Sequence, residues 1–163
     1  KLRAISSNGT RWQDKTNVMG LFGGELGKAW TLGPFHSQFR LLAIRVWTVK
    51  VIDALQFKYE HAGKTHWSPL YGERPSIEPV EVVIDQSDPL AVISLTVGAN
   101  PVGITSIAFL TGKGAAFGPY GQLRGPQSDI KLDGGVLGFF GFEQSHIQGF
   151  GVFVKPVKIK RAN

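Results

Sequence analysis

The sequence predicts an all-β domain, and three observations carry that prediction. Short runs alternate apolar and polar residues with a period of two, as half-buried strands do. No stretch of ten or more residues keeps a 3.6-residue apolar period free of glycine and proline, so very little helix is expected. One phrase, Ile, polar, small, apolar, small or polar, apolar, occurs three times: Ile52-Asp53-Ala54-Leu55-Gln56-Phe57, Ile104-Thr105-Ser106-Ile107-Ala108-Phe109 and Ile147-Gln148-Gly149-Phe150-Gly151-Val152. Its anchors, Ile52, Ile104 and Ile147, are 52 and then 43 residues apart, which suits one supersecondary unit with loop insertions. Units that cannot each bury a face alone are expected to pack around a shared core.

Taken in order, residues 1–16 are polar without a sustained period and read as an extension, with the domain running from 17 to 163. From Val18 to Trp30 glycines interrupt apolar residues as they do at strand bends and turns. Leu42, Ile44 and Val46 form one alternating strand and Leu55, Phe57 and Tyr59 a second, joined by a turn near Trp47 to Lys50. His61 to Pro79 holds two glycines and three prolines and reads mainly as loop. The second copy is expected to run from Val80, Val82 and Ile84 through Ile93, Leu95 and Val97 to Ile104, Ile107 and Phe109. The third takes in Ile130 and Leu132, Val136 to Phe142, and Ile147 to Val154.

At 163 residues the chain is one domain's length and can bury a core without staples. With no cysteine it carries neither a disulfide framework nor a thiolate metal site. No apolar run reaches membrane-helix length, so a soluble domain is expected, with the compartment, cytoplasmic or secreted after signal removal, left open. Asn8-Gly9-Thr10 is a glycosylation acceptor if the chain is secreted. The formal net charge is +6, and beyond Glu143 there are four cations, Lys155, Lys158, Lys160 and Arg161, and no acid. That tail reads either as a lysine-protected strand edge or as a site for sulfated glycans. Nucleic acid is not an expected partner.

Other chemistry finds little support. Gly63-Lys64-Thr65 ends like a phosphate-binding loop but lacks the earlier glycine and reads as a plain turn. His61 and His66 have no evident acidic or thiol partner for a metal. Ser145 beside His146 is no catalytic pair, because neighbours on an extended chain point apart and no orienting acid is identifiable. Glu81 and Asp85 are spaced as solvent-side strand residues. Trp12, Trp30, Trp47 and Trp67 sit near turns or strand ends, where aromatics either stack on sugars or complete a core.

The threefold phrase, the glycine-rich element at residues 20 to 27, Phe117-Gly118-Pro119-Tyr120-Gly121, and Phe139-Phe140-Gly141 before the third phrase together resemble the jacalin-related lectins over roughly residues 17 to 159. That resemblance implies a β-prism I fold, three four-stranded Greek-key sheets with pseudo-threefold symmetry, the N-terminal strand joining the last unit. It also implies a sugar site in the last repeat, on a loop of the form Gly-x-x-x-Asp closed by the N-terminal Gly-Gly turn. The carboxylate accepts sugar hydroxyls more strongly than a neutral group, and glycine lets backbone approach the ligand.

Carried onto this chain, the site comprises Gly23, Gly24, Gln144, Ser145, His146, Ile147 and Gln148. The loop departs from the pattern, with Gln144 at the glycine position and Gln148 at the carboxylate position. His146, where the family often has an aromatic, either stacks on a sugar or lies exposed. The corresponding pairs are Val49 and Asp53 in the first repeat and Pro101 and Thr105 in the second. Asp53, with Lys50, Val51 and Gly72, is therefore a second candidate site, although a carboxylate there also suits a turn-closing role. Asp88 is a position from which a neighbouring loop could approach the last repeat's site.

The expected function is carbohydrate binding of the mannose or glucose class, without catalysis, metal or cofactor, on mono- or oligosaccharides and glycoproteins. Weak single sites make a homo-oligomer the expected working form. The alternative is a module that has kept the scaffold, lost the simple sugar site, and binds protein or anionic glycan through Lys155, Lys158, Lys160 and Arg161.

Overall fold

In the computed structural model, residues 16–99 and 102–156 are described. Residues 1–15 of the extension, with Asn8 and Trp12, and Pro101, Lys158, Lys160 and Arg161 lie outside the described residues. The strands are β1 (Asn17–Gly23), β2 (Lys28–Leu32), β3 (Phe39–Thr48), β4 (Ile52–His61), β5 (Lys64–Trp67), β6 (Tyr71–Gly72), β7 (Val80–Val83), β8 (Leu90–Ala99), β9 (Val102–Thr111), β10 (Ala116–Gly121), β11 (Gln127–Lys131), β12 (Val136–Glu143) and β13 (Ile147–Val154).

They form three antiparallel sheets, ordered β5-β4-β3-β7, β10-β9-β8-β11 and β1-β13-β12-β2, with β6 added beside β4 in the first. In each, a central hairpin takes a third strand on one side, and a fourth returns to the other side, beside the first, which is the Greek-key order. The third sheet closes the chain on itself, because β1 and β2 supply its third and fourth members.

Two expectations on copy boundaries are corrected by this order. The strand at Val80–Val83 pairs with β3 and completes the first sheet, and Gln127–Lys131 pairs with β8 and completes the second. A returning strand lies far along the chain from its partner, so it reads as the start of whichever unit follows it. The span from His61 to Pro79 is also less of a loop than expected. All four residues of β5 are exposed, so no alternation marks it, and β6 is two residues long. Leu41, not Leu42, is buried in β3, because the register slips between Leu41 and Ala43 and turns the strand over.

The core lies where the inner faces meet. Ile52, Leu55 and Phe57, then Ile104, Ile107 and Phe109, then Ile147, Phe150 and Val152 are all buried within one cluster. Phe139 of the third sheet stacks on Phe57 of the first at 4.2 Å and lies 5.8 Å from Phe150, joining the sheets through aromatic contacts. The repeated phrase is the core written three times. Ala62 (φ 52°) and Gly63 (φ 81°) form the two-residue turn from β4 to β5, so the expected plain turn at Gly63-Lys64-Thr65 closes a hairpin.

Candidate functional site

Each repeat's second long strand begins with the same irregularity. Trp47 pairs with Ala54 and Thr48 with Ile52, leaving Asp53 unpaired. Thr96 pairs with Ser106 and Val97 with Ile104, leaving Thr105. Phe142 pairs with Gly149 and Glu143 with Ile147, leaving Gln148. Each is a β-bulge, one extra residue that kinks the strand and re-aims its side chain. Asp53, Thr105 and Gln148 are thus equivalent by geometry, and all three lie at the same end of the prism.

Their environments differ. In the first repeat Asp53 is half-buried, and its Oδ2 accepts the Val49 N–H at 2.7 Å. Its Oδ1 has no hydrogen-bond partner among the described residues. One oxygen closes the turn. Thr48 Oγ1 donates to the Val51 carbonyl at 2.7 Å, setting the loop while Val49 and Lys50 stand exposed. The opposite wall is β6, paired with Ala54 and Leu55, and the Glu73 N–H donates to the Asp53 carbonyl at 3.0 Å. Gly72 has φ +91°, and a Cβ there would run into that same carbonyl oxygen, so the wall approaches Asp53 only because it is glycine. Trp47 is buried beneath, with the Arg74 guanidinium 5.6 Å from its ring centre, so it serves the core and not the surface.

In the second repeat Thr105 is buried and its hydroxyl already satisfied, 2.7 Å from Thr96 Oγ1 and 2.6 Å from the Arg124 carbonyl. Nothing is left over for a ligand.

The third repeat brings the expected residues together and closes them against each other. The Gly24 N–H donates to the Gln148 carbonyl at 2.9 Å, and a Cβ on Gly23 would strike that carbonyl. The Gln148 side chain is only 3% exposed. Its Nε2 donates to His146 Nε2 at 3.1 Å, and its Oε1 is buried without a hydrogen-bond partner among the described residues. Protonation of the ring at Nε2 would exchange that bond for donation to the Val102 carbonyl, 3.2 Å away. His146 is thus not the exposed residue of one reading, and both of its ring nitrogens have neighbours within the chain. It is half-buried against Val102 and Gly103, where a Cβ on Gly103 would meet the ring at 2.6 Å. Ile147 is core, whereas Gln144 and Ser145 are exposed.

Other expectations are placed plainly. Ser145 Oγ lies 3.4 Å from His146 Nδ1, because residues 144 to 146 bend and do not run extended. The ring's other nitrogen faces an amide and a carbonyl, so no carboxylate orients it. Asp88 accepts from Thr111 Oγ1 and the Lys113 N–H, each within 2.8 Å, at the opposite end of the prism, and does not approach the third-repeat loop. Lys155 is exposed at that opposite end beside a cavity of about 620 Å³. No cluster of potential metal ligands occurs among the described residues, and no helix there is long and apolar enough to cross a membrane.

Sequence inspection alone missed Glu143. It ends β12, one residue before the third-repeat loop, and its Oε1 accepts the Gly72 N–H from the first repeat. The partners are 71 residues apart, and no local pattern connects them.

Comparison with known proteins agrees with this architecture. The family profile of the jacalin-like lectin domain matches residues 19–153, so the chain belongs to that family, whose members are non-catalytic carbohydrate-binding proteins. Among solved structures it is similar to wild-type Malaysian banana lectin, with 26% identity and a TM-score of 0.76, covering 87% of this chain and 99% of that one. A mannose-binding jacalin-related lectin from Ananas comosus shares 25% identity at TM-score 0.77, again over 87% and 99% of the two chains. Artocarpin in complex with methyl-α-mannose, at 21% identity and TM-score 0.78 over 88% and 100%, adds likeness of fold alone. No curated protein sequence matches the chain.

Proposed function

We propose that this chain binds carbohydrate of the mannose or glucose class through the first-repeat loop, Val49 to Asp53 with Gly72 as its wall. The observation that carries the reading is Asp53 itself, the only carboxylate among the three bulge residues, with one oxygen lacking a hydrogen-bond partner among the described residues and with Val49 and Lys50 of its loop exposed. That oxygen accepts sugar hydroxyls as a charge-assisted acceptor, while the N–H groups of Lys50 and Val51 donate to sugar oxygens. The kinship to mannose-binding jacalin-related lectins supports the sugar class. The third-repeat residues, Gly23, Gly24 and Gln144 to Gln148, are a closed counterpart of the same site. One shallow site binds weakly, so a homo-oligomer engaging glycoproteins at several points is the proposed working form.

The test is titration of methyl-α-mannoside into wild type, Asp53→Asn and Gln148→Ala. Asp53→Asn should weaken binding by about ten- to a hundredfold, the loss expected for a charged hydrogen bond, and Gln148→Ala should leave it unchanged. An effect of Gln148→Ala alone would move the site to the third repeat, and an effect of neither would refute both placements. Retention only on heparin, lost at roughly 0.5 M salt, would instead favour anionic-glycan binding, with Lys155, Lys158, Lys160 and Arg161 as its candidates.

A further inference from the structure

The Glu143 contact carries more than local stability. The wall of the first-repeat site is β6, a strand of two residues whose approach to the core is held by pairing with Ala54 and Leu55. The Ser68 and Glu73 N–H groups add bonds to Phe57 and Asp53 carbonyls on β4, all of them to the same strand. Tyr71 also meets Phe57 of β4 at 6.3 Å, and two further attachments run to the third sheet. Tyr71 stacks on Trp30 of β2 at 4.0 Å and 16°, and the next residue, Gly72, donates its N–H to the Glu143 carboxylate. Glu143 and Trp30 belong to neighbouring strands, since Glu143 pairs with Lys28 and Gly141 with Trp30. The wall is therefore clamped between two sheets, and the polar jaw of that clamp leads into the third-repeat loop.

A carboxylate accepting a backbone N–H is a strong, directional bond, and here it fixes a peptide whose neighbour bonds Asp53. Without it, Gly72 keeps only its attachments to β4, at a position where a residue lacking Cβ has the widest choice. Resting on the first-repeat reading of the sugar site, we propose that Glu143 is a positioning residue for that site, so that the third-repeat strand, its own bulge closed to ligand, sets the geometry of the first repeat's wall.

Four variants test this, Glu143→Ala, Glu143→Asp, Glu143→Gln and Asp53→Asn, read by methyl-α-mannoside titration, thermal melting and hydrogen exchange of the Gly72 amide. The alanine variant should bind about tenfold more weakly, and so should the aspartate variant, which keeps the charge but loses the reach. Glutamine still offers an oxygen at the same distance, so it should bind within about threefold of wild type and keep the Gly72 amide protected. Exchange at Gly72 should quicken in the alanine and aspartate variants without sugar present, a readout that a general loss of stability, spread over the sheet, would not single out. Wild-type affinity in the aspartate or alanine variant, with Asp53→Asn impaired, would overturn the role of Glu143 alone. Wild-type affinity in Asp53→Asn would overturn the site reading and this inference with it. Failure of glutamine to rescue would also overturn it, by showing that the charge itself meets the ligand.

Discussion

The first and third repeats place an extra residue at the same bulge, and the two loops part company there. Asp53 keeps one carboxylate oxygen for the turn, and the other has no hydrogen-bond partner among the described residues. Gln148 is buried and bonded to His146, with its Oε1 lacking a hydrogen-bond partner among the described residues. The bulge supplies direction, and what it points at decides function. In the first repeat the facing wall is Gly72, which adds no side chain; in the third, the His146 imidazole lies against Gln148, the Val102 carbonyl and Gly103.

The largest effect should come from filling the first-repeat wall. Gly72→Val combines a left-handed φ with a Cβ that collides with the Asp53 carbonyl, so it should destabilise the domain by about 3 kcal/mol or detach β6, and abolish mannoside binding in either case. Thermal melting and titration of the same sample check both. A second change should run the comparison backwards. His146→Gly with Gln148→Asp removes the imidazole and restores a carboxylate at the bulge, and in an Asp53→Asn background it should return measurable binding, within about tenfold of the first-repeat site. Unchanged loss of binding would mean that His146 is not what closes the loop.

Smaller again is the effect of Gln148→Leu. The buried Oε1 without a partner costs about 1 to 3 kcal/mol, offset by the one bond the amide makes, so an apolar side chain of similar size should be neutral or stabilise by about 1 kcal/mol. A melt lower than wild type by several degrees would show that the His146 contact outweighs the orphaned oxygen.

What could be read from the chain before its structure divides along the same line. The phrase in which Ile52, Leu55 and Phe57 recur as Ile104, Ile107, Phe109 and Ile147, Phe150, Val152 is legible because burial at the first, fourth and sixth positions is the imprint of a bulge followed by ordinary alternation. Aligning that phrase with the carboxylate position implied by the resemblance to jacalin-related lectins made Asp53 a candidate. The closure of Gln148 was not legible, since it depends on Val102 and Gly103 of the second repeat, 46 and 45 residues away. The clamp from Glu143 to Gly72 spans farther still. The fourth strands of the first and second sheets were assigned to the wrong unit because hydrogen-bond neighbours in a Greek key are not sequence neighbours. Side chains that answer to their own strand can be read in order; those that answer to another repeat cannot.

Tyr71 offers the mildest probe of the clamp, through pH. Its hydroxyl is pushed up to about 12, mainly by burial, then by Tyr59 and by the Glu143 carboxylate, with a bond from Ser68 acting the other way. In the unfolded chain a tyrosine loses its proton near 10. Between those values the unfolded state sheds a proton that the folded state retains, so the folded domain binds more protons and stability falls as pH rises. The contribution is whole below pH of about 10 and is lost as pH climbs through about 12. Tyr71→Phe keeps the ring on Trp30 and removes the proton, so its melting temperature should fall less steeply than that of wild type across this window while matching it near neutrality within a few degrees. Parallel curves from pH 9 upward, at spacing unchanged by roughly pH 11, would show that Tyr71 contributes its ring to the clamp and nothing through its hydroxyl.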